Sequence, residues 1–328
     1  MAVVVGIAGR PRPLVRVLET LVVAGCYYAA GRLGLLRHLV VEGTVVAPMW
    51  PPSGVAVACL LILGPRCVPG IALGALLVVM SLTTLQPSAL GVLAGNTAAP
   101  VCAYLLLRAV GFRTDLSRLR DGLALVFLGA FTAMLISAGA GAGTAVLTDE
   151  LSPDRFWPVW FAWWAGDAVG VVLVTPLLLL LQRVRRPPPC TRWREASALT
   201  LAVCALVPLE RSPVSLLFLV FPLLIWAALR FQLAGSLPCA LVASVLATAA
   251  ATDRTGSFAR LSDVEVMMRL QAFNGAIGLT ALLLSAVITE QLNTRRSVER
   301  ACQELVEALQ HLSAGEPGRR RPSEEQDR

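Results

Sequence analysis

Residues 157–181 read WPVWFAWWAGDAVGVVLVTPLLLLL, an apolar run with one charged residue, Asp167. A helix needs about 20 mainly apolar residues to cross the hydrocarbon core of a bilayer, which is roughly 30 Å thick. Similar runs recur along the chain, which is 56 % hydrophobic and 15 % charged, whereas soluble proteins carry about 25 % charged residues. The sequence therefore predicts an all-α fold, a polytopic bundle of transmembrane helices in contact with the lipid bilayer.

Ten apolar runs qualify as candidate spans, and we expect eight to ten of them to cross. Their limits are 14–36, 52–67, 68–86, 88–109, 122–147, 157–181, 196–210, 213–230, 235–252 and 268–290. A short Gly-Pro-Arg link at 64–66 predicts a tight hairpin between the second and third spans. The prolines within residues 45–53 predict irregular backbone that dips into the membrane, which is tolerated there only under a cover of protein or water.

The basic residues are all arginine, and they give the chain a net charge of +7. Most lie in alternate short loops, at residues 10–16, 108–120, 183–194 and 295–300. Arginine-rich short loops stay on the cytoplasmic side, which predicts a multi-pass protein of the plasma membrane with both termini in the cytoplasm. This placement argues against a nucleic-acid partner. The lysine-free composition, rich in Ala, Gly and Pro, also suggests a bacterial inner-membrane protein.

The last span is followed by a short seam of apolar residues. Val298, Cys302, Leu305, Leu309 and Leu312 are spaced alternately by four and three residues, the pattern of a coiled coil. We expect a cytoplasmic helix over 293–314 that pairs with a second copy or a separate signalling protein, or else packs on the membrane surface. The domain division is then a cytoplasmic segment 1–13, a membrane domain 14–292, this helix, and a disordered tail 315–328.

Asp167 is the most informative single residue. It lies about 11 residues into its span, roughly 16 Å deep at about 1.5 Å per residue. An acid at the bilayer centre costs about 2.5–3.5 kcal/mol and usually has a function, although a protonated or paired acid can also serve as structural glue. Gly166 and Gly170 share a helix face with room for close approach of a neighbouring helix. Asn96 is a second buried polar group, which either bridges helices or takes part in the function.

The remaining candidates for sensing a ligand or signal are two arginines and three tryptophans, Arg32, Arg230, Trp50, Trp163 and Trp164. The arginines lie near span ends, where they can extend to the interface, and tryptophan favours the interface as well. The two histidines, His38 and His311, lie outside the spans, and the eight cysteines form no CxxC pair. We therefore predict no catalytic, cofactor or metal site and no enzymatic activity.

Several sequence blocks, taken in order, resemble the membrane-associated sensor domain, type one, of bacterial signalling proteins (the MASE family). The blocks are Tyr28–Leu35, Trp50–Gly54, Gly95–Thr97, Arg120-Asp121, Trp163–Gly170 with Pro176, Phe221-Pro222, Trp226–Phe231 and the run into Glu290. They extend over about residues 14–292. In the family, Leu-Glu follows Gly-Asn-Thr. This chain has Ala98-Ala99 at these positions, so it lacks the glutamate and any role that the glutamate has.

The resemblance implies an integral-membrane sensory module for an unknown small-molecule ligand. Such modules usually precede a cytoplasmic output domain, whereas this sequence continues only into the short helix and tail. We therefore expect a stand-alone sensor of bacterial signal transduction that acts through a partner chain or a dimer. The alternative is a transporter of small molecules or ions that uses Asp167 and Asn96. An intramembrane enzyme is a third and weaker hypothesis, since its second intramembrane aspartate is not seen.

Overall fold

The computed structural model describes residues 13–314 apart from Glu42 and residues 83–86, 184–194, 196, 200, 203–204 and 206–216. The helices are α1 (Pro13–Leu35), α2 (Pro51–Leu63), α3 (Val68–Met80), α4 (Pro87–Ala109), α5 (Leu119–Ala124), α6 (Met134–Leu147), α7 (Phe156–Arg183), α8 (Val220–Phe231), α9 (Leu233–Thr252), α10 (Asp263–Leu279) and α11 (Ser285–Ala314). Two π-helical segments, Leu125–Thr132 and Thr280–Leu284, join α5 to α6 and α10 to α11.

The predicted all-α membrane bundle is confirmed. The described residues contain seven helical segments long and apolar enough to cross a membrane, and two shorter apolar helices, α2 and α8. Every predicted span except 196–210 overlaps one of these helices, and that span lies mostly outside the described residues. At 13 residues, α2 is roughly 20 Å long at about 1.5 Å per residue, too short to cross the hydrocarbon core alone.

A small β-hairpin follows α1 and was not expected. Strand β1 (Leu39–Val41) pairs antiparallel with β2 (Thr44–Val46), with Leu39 opposite Val46. Leu39, Val41 and Val46 are buried in one cluster with Phe258 and Val266. The prediction of irregular backbone over 45–53 is therefore wrong at both ends, because the strand reaches Val46 and α2 begins at Pro51. Only the linker 47–50 between them is irregular.

The hairpin between α2 and α3 forms as predicted. Gly64 ends α2 with a φ of 79°, a conformation that favours glycine, and a single 3₁₀ turn, Pro65–Cys67, leads into α3.

The chain alternates between two ends of the bundle. We call the end that carries β1 and β2 the hairpin end, and the opposite end, with the loop 110–118 between α4 and α5, the arginine end.

Helix α7 is central to the bundle, with Asp167, Val171 and Leu173 all 1 % exposed or less. By contrast, α11 leaves the bundle near Glu290, and almost every later described residue is exposed. The seam residues Val298, Leu305 and Leu309 are 57 %, 63 % and 64 % exposed. This long amphipathic helix therefore projects an apolar stripe away from the bundle at the arginine end.

Candidate functional site

Asp167 lies at the crossing of α7 and α2, and it is completely buried. Its Oδ1 atom accepts a hydrogen bond of 2.5 Å from the hydroxyl of Ser53, a residue of the first turn of α2 that is 2 % exposed. Hydrogen bonds to a carboxyl group are among the stronger ones in proteins. This bond therefore holds the start of α2 against the middle of α7.

Glycines on α7 allow this close approach, as their spacing predicts. The Trp50 backbone N–H donates to the Gly166 carbonyl at 3.0 Å. A Cβ atom on Gly170 would lie 2.0 Å from the carbonyl oxygen of Trp50, and one on Gly166 would lie 2.5 Å from that of Ala47. The linker 47–50 and the start of α2 therefore rest directly on the backbone of α7, and this contact brings Ser53 within reach of Asp167.

A second hydroxyl links the site to α4. Ser137 on α6 is 3 % exposed and donates to Oδ1 of Asn96 at 3.2 Å. Its side chain also interacts with Asp167, but a hydroxyl has one proton and cannot donate to both groups. No described donor makes a hydrogen bond to Oδ2 of Asp167. We call the group formed by Asp167, Ser53, Ser137 and Asn96 the polar cluster. Its Asp167 Oδ2 atom is a buried acceptor without a hydrogen-bond donor among the described residues.

Two further buried polar groups adjoin the polar cluster. The Tyr27 hydroxyl lies near both Asp167 and the indole of Trp50. Neither this hydroxyl nor the Trp50 Nε1 atom makes a well-aligned hydrogen bond to a described residue. Buried polar groups in proteins are nearly always paired, so each exception calls for an explanation. A concentration of such groups around one acid is typical of a site that binds or changes state.

A cavity of about 320 Å³ opens beside these groups toward the hairpin end. Its lining includes Trp50, Asn96 and Trp163 together with apolar side chains such as Val79 and Leu82. Ligand sites are typically cavities of about 300–1,000 Å³ with a mostly apolar lining and a few convergent polar groups. We call it the outer cavity, and its volume is at the small end of that range.

The structure brings together four of the seven residues that the sequence indicates. Trp50, Asn96 and Trp163 line the outer cavity, and Asp167 lies behind it. Trp164 instead lines a separate cavity of about 190 Å³, and its Nε1 atom donates to the carbonyl of Phe131 in the first π-helical segment at 2.8 Å.

The two predicted arginines are not part of this site. Arg32 is exposed on the surface of α1. Arg230 ends α8 at the arginine end and forms an ion pair with Glu195 at 3.2 Å. Charge near a span marks these residues in the sequence, but their long side chains extend to the surface of the bundle.

Sequence reasoning missed the role of Ser53, Ser137 and Tyr27. Serine and tyrosine within apolar spans give no signal of their own, since small polar residues are common where membrane helices pack together. It also missed the position of Gln271, whose Nε2 atom donates to the Pro48 carbonyl at 2.8 Å. This bond connects the linker 47–50 to α10, the helix that leads into α11.

The arginine end holds α11 by a different contact. Oε2 of Glu290 accepts a hydrogen bond of 2.8 Å from the backbone N–H of Leu119, at the first turn of α5. Nearby in the loop 110–118, burial raises the pKa of the Asp115 carboxyl. Hydrogen bonds from Ser117 and the guanidinium groups of Arg113 and Arg183 outweigh this effect and hold the pKa below its usual value.

These features define a class, the integral-membrane helical domains with a buried polar site next to a cavity. Within the described residues, no group of three or more His, Cys, Asp or Glu side chains could hold a metal ion. The family model of MASE1 matches residues 20–292, and the chain belongs to this family of integral-membrane sensory domains of signal transduction. Neither the comparison with curated proteins nor the comparison with solved structures gives a match.

Proposed function

We propose that this sensory domain registers a small molecule at the polar cluster and passes the change through α11 to a protein partner. The partner is either a second copy of the chain or a separate signalling protein. The observation that carries the proposal is the linker 47–50, which touches both the site and the helix that leads to α11. Its Trp50 N–H bonds to Gly166, and its Pro48 carbonyl bonds to Gln271.

The linker offers a physical route for coupling. A displacement of Trp50 at the outer cavity would strain the bond between Pro48 and Gln271 on α10. From there, the π-helical segment Thr280–Leu284 leads directly into α11. Such π-helical segments are rare and often occur at functional sites. A small change of their hydrogen-bond register would rotate α11, which is otherwise held near the bundle by Glu290.

The exposed stripe on α11 supports the second half of the proposal. Val298, Leu305 and Leu309 share one face and are more than half exposed. A helix of about two heptads is marginally stable alone in water, so burial of this stripe against another helix would stabilise it. The proposal includes no enzymatic step.

We also propose that both termini face the cytoplasm, and the fold supports this orientation. Arg16 and Arg66 line one groove at the arginine end, and Arg113, Arg118 and Arg183 line another. At the hairpin end, by contrast, Arg37 pairs with Asp253 and Arg254 pairs with Asp263. The excess positive charge at the arginine end is what the positive-inside rule expects of a cytoplasmic face.

The proposal is tested by photo-crosslinking in native membranes. A photoreactive amino acid at Leu309 should capture a second copy or a signalling protein. The same group at Glu307, on the opposite face of α11, should capture much less. In addition, mild oxidation should link Cys302, which is exposed, to its counterpart in a dimer, and Leu305→Asp should abolish this link.

The alternative of a transporter makes a different prediction. If neither position of α11 captures a protein, and removal of residues 293–328 leaves the phenotype of the cell unchanged, signalling through α11 is refuted. Transport through the bundle would also need a path past Asp167. On the α2 side the backbones are in contact, and the Thr175 hydroxyl of α7 donates to the Gly54 carbonyl of α2 at 3.0 Å. This close contact favours a sensor over a transporter.

A further inference from the structure

We propose that the outer cavity binds an uncharged, mostly apolar small molecule that carries one oxygen able to accept hydrogen bonds. The inference rests on the proposed sensory function, and it adds the chemical class of the ligand. Three properties of the cavity carry it, namely its volume, the absence of a compensating charge in its described lining, and one unpaired hydrogen-bond donor on its wall, the side-chain amide of Asn96.

Volume limits the size of the ligand. An apolar cavity of about 150 Å³ holds one benzene molecule. The outer cavity has about 320 Å³, which is roughly twice that volume. A molecule of about two aromatic rings, or an aliphatic molecule of similar bulk, would therefore fill it, whereas a nucleotide or a lipid with two chains would not fit.

The lining argues against a charged ligand. Among the described residues that line the cavity, Glu150 is the charged one, and it is exposed. An anion would find no arginine or histidine there and would approach this carboxylate. A cation would reach Glu150 at most near solvent and would meet apolar side chains and the Asn96 amide further in. Removal of a charged group from water without a partner is costly, so a neutral ligand is favoured.

One unpaired donor specifies the polar group of the ligand. Asn96 lines the cavity and is 6 % exposed. Its oxygen is already engaged by Ser137, while no described residue accepts from its amide nitrogen. The Nε1 atom of Trp50 does not contribute, because it is buried next to the Tyr27 hydroxyl and away from the cavity. A carbonyl or hydroxyl oxygen of the ligand would pair with the Asn96 amide N–H, since a buried donor that stays unpaired is costly.

The test uses benzophenone, a neutral photoreactive molecule of two rings and one carbonyl oxygen, with the full chain in lipid nanodiscs. After illumination, mass spectrometry should find the label on cavity residues such as Val79 and Trp163. Three unreactive competitors differ in one property each. Benzhydrol, a neutral alcohol, should displace the label. Diphenylmethane lacks the oxygen and should compete about three- to tenfold more weakly, as expected for one lost hydrogen bond. The diphenylacetate anion should compete least.

Variants distinguish labelling inside the cavity from nonspecific labelling. Asn96→Leu should remove most of the advantage of benzhydrol over diphenylmethane. Ala145→Phe places a ring in the cavity and should abolish the label there. Asn274→Leu changes another buried amide, outside the outer cavity, and should leave the labelling unchanged. Label on lipid-facing residues serves as the internal reference in each sample, and size-exclusion chromatography reports whether each variant is folded.

Equal labelling of the cavity and the lipid-facing surface would overturn the inference, and so would equal competition by the alcohol and the anion. Failure of the inference is distinguishable from failure of the proposed function. Binding that obeys these rules, with no capture of a partner by α11, keeps the ligand class and refutes the signalling role. Capture of a partner that depends on Asp167, without labelling of the cavity, keeps the signalling role and refutes the ligand class.

Discussion

Replacement of Gly170 by alanine tests the contact on which the whole site depends. The added Cβ atom would lie 2.0 Å from the carbonyl oxygen of Trp50 and 2.7 Å from its carbonyl carbon, whereas ordinary contact begins at 3.4 Å. The backbone of the linker 47–50 would therefore have to move by about 1.4 Å from α7. The neighbour is main chain, so rotation of a side chain cannot relieve the collision.

The expected cost follows from this displacement. Overpacking of a core typically costs about 1–3 kcal/mol. The movement would also weaken the bond from Trp50 N to the Gly166 carbonyl and the bond from Ser53 to Asp167, each worth about 0.5–1.5 kcal/mol or more. Alanine in a helix gains about 1 kcal/mol over glycine, which offsets part of the loss. We expect a net loss of about 2 kcal/mol.

The assay is unfolding in mixed micelles titrated with SDS, followed by circular dichroism. Gly143→Ala is the matched control, because a Cβ atom at Gly143 on α6 meets nothing within 4 Å, and this variant should be as stable as the wild-type chain or more so. Gly166→Ala, with its contact at 2.5 Å, should lie between the two. If Gly170→Ala is as stable as Gly143→Ala, the linker does not rest on α7 and the geometry of the site is wrong.

Three further predictions concern other contacts of the site and of the arginine end. Ser53→Ala leaves Oδ1 of Asp167 without its donor and should cost about 1–3 kcal/mol in the same titration, while Ser81→Ala, which removes a local bond at the end of α3, should cost less. Gln271→Leu removes the bond from α10 to the linker. Because Ser53 and Gln271 hold the same segment, the double variant should deviate from additivity by at least about 0.5 kcal/mol, and strict additivity would contradict the coupling. Finally, the lowered pKa of Asp115 means that its carboxylate stabilises the loop 110–118 at neutral pH, and this contribution is lost as the pH falls through the lowered pKa. The difference in stability between wild type and Asp115→Asn should therefore be largest near pH 7 and vanish in acid.

The helices were predictable because the signal for a membrane span is strong and local. An apolar run such as 157–181 needs only its own length and composition to specify a helix across the bilayer. The β-hairpin was not predictable, since each strand has three residues and alternation over so few positions carries no signal. The short length of α2 was also hidden, because the apolar run continues into Gly64 and Pro65, where the backbone turns.

The site was predictable in part, and the charge and polarity of each residue decide whether its role was predictable. Asp167 is identified by its cost inside a membrane, and Asn96 by its amide. Ser53 and Ser137 are as important to the geometry, but a hydroxyl in an apolar span costs little and has many ordinary uses. Arg32 and Arg230 show the opposite error. An arginine near a span end is costly only if it stays in the hydrocarbon, and a long side chain avoids this cost by reaching the interface.

Two of the sequence blocks that carry the family resemblance, Trp50–Gly54 and Trp163–Gly170, are the two sides of one contact. Gly166 and Gly170 give α7 a face without side chains, and Trp50–Gly54 is the segment that fills it. Because the Ser53 N–H bonds to the Trp50 carbonyl at 3.3 Å within one helical turn, these two residues move together. Trp50 lines the outer cavity and Ser53 holds Asp167, so in the proposed mechanism a ligand that displaces the backbone of Trp50 also displaces the hydroxyl that pairs with the acid. In that mechanism the hydrogen bond from Ser53 holds Asp167 against α2 in the resting state and weakens when a ligand binds.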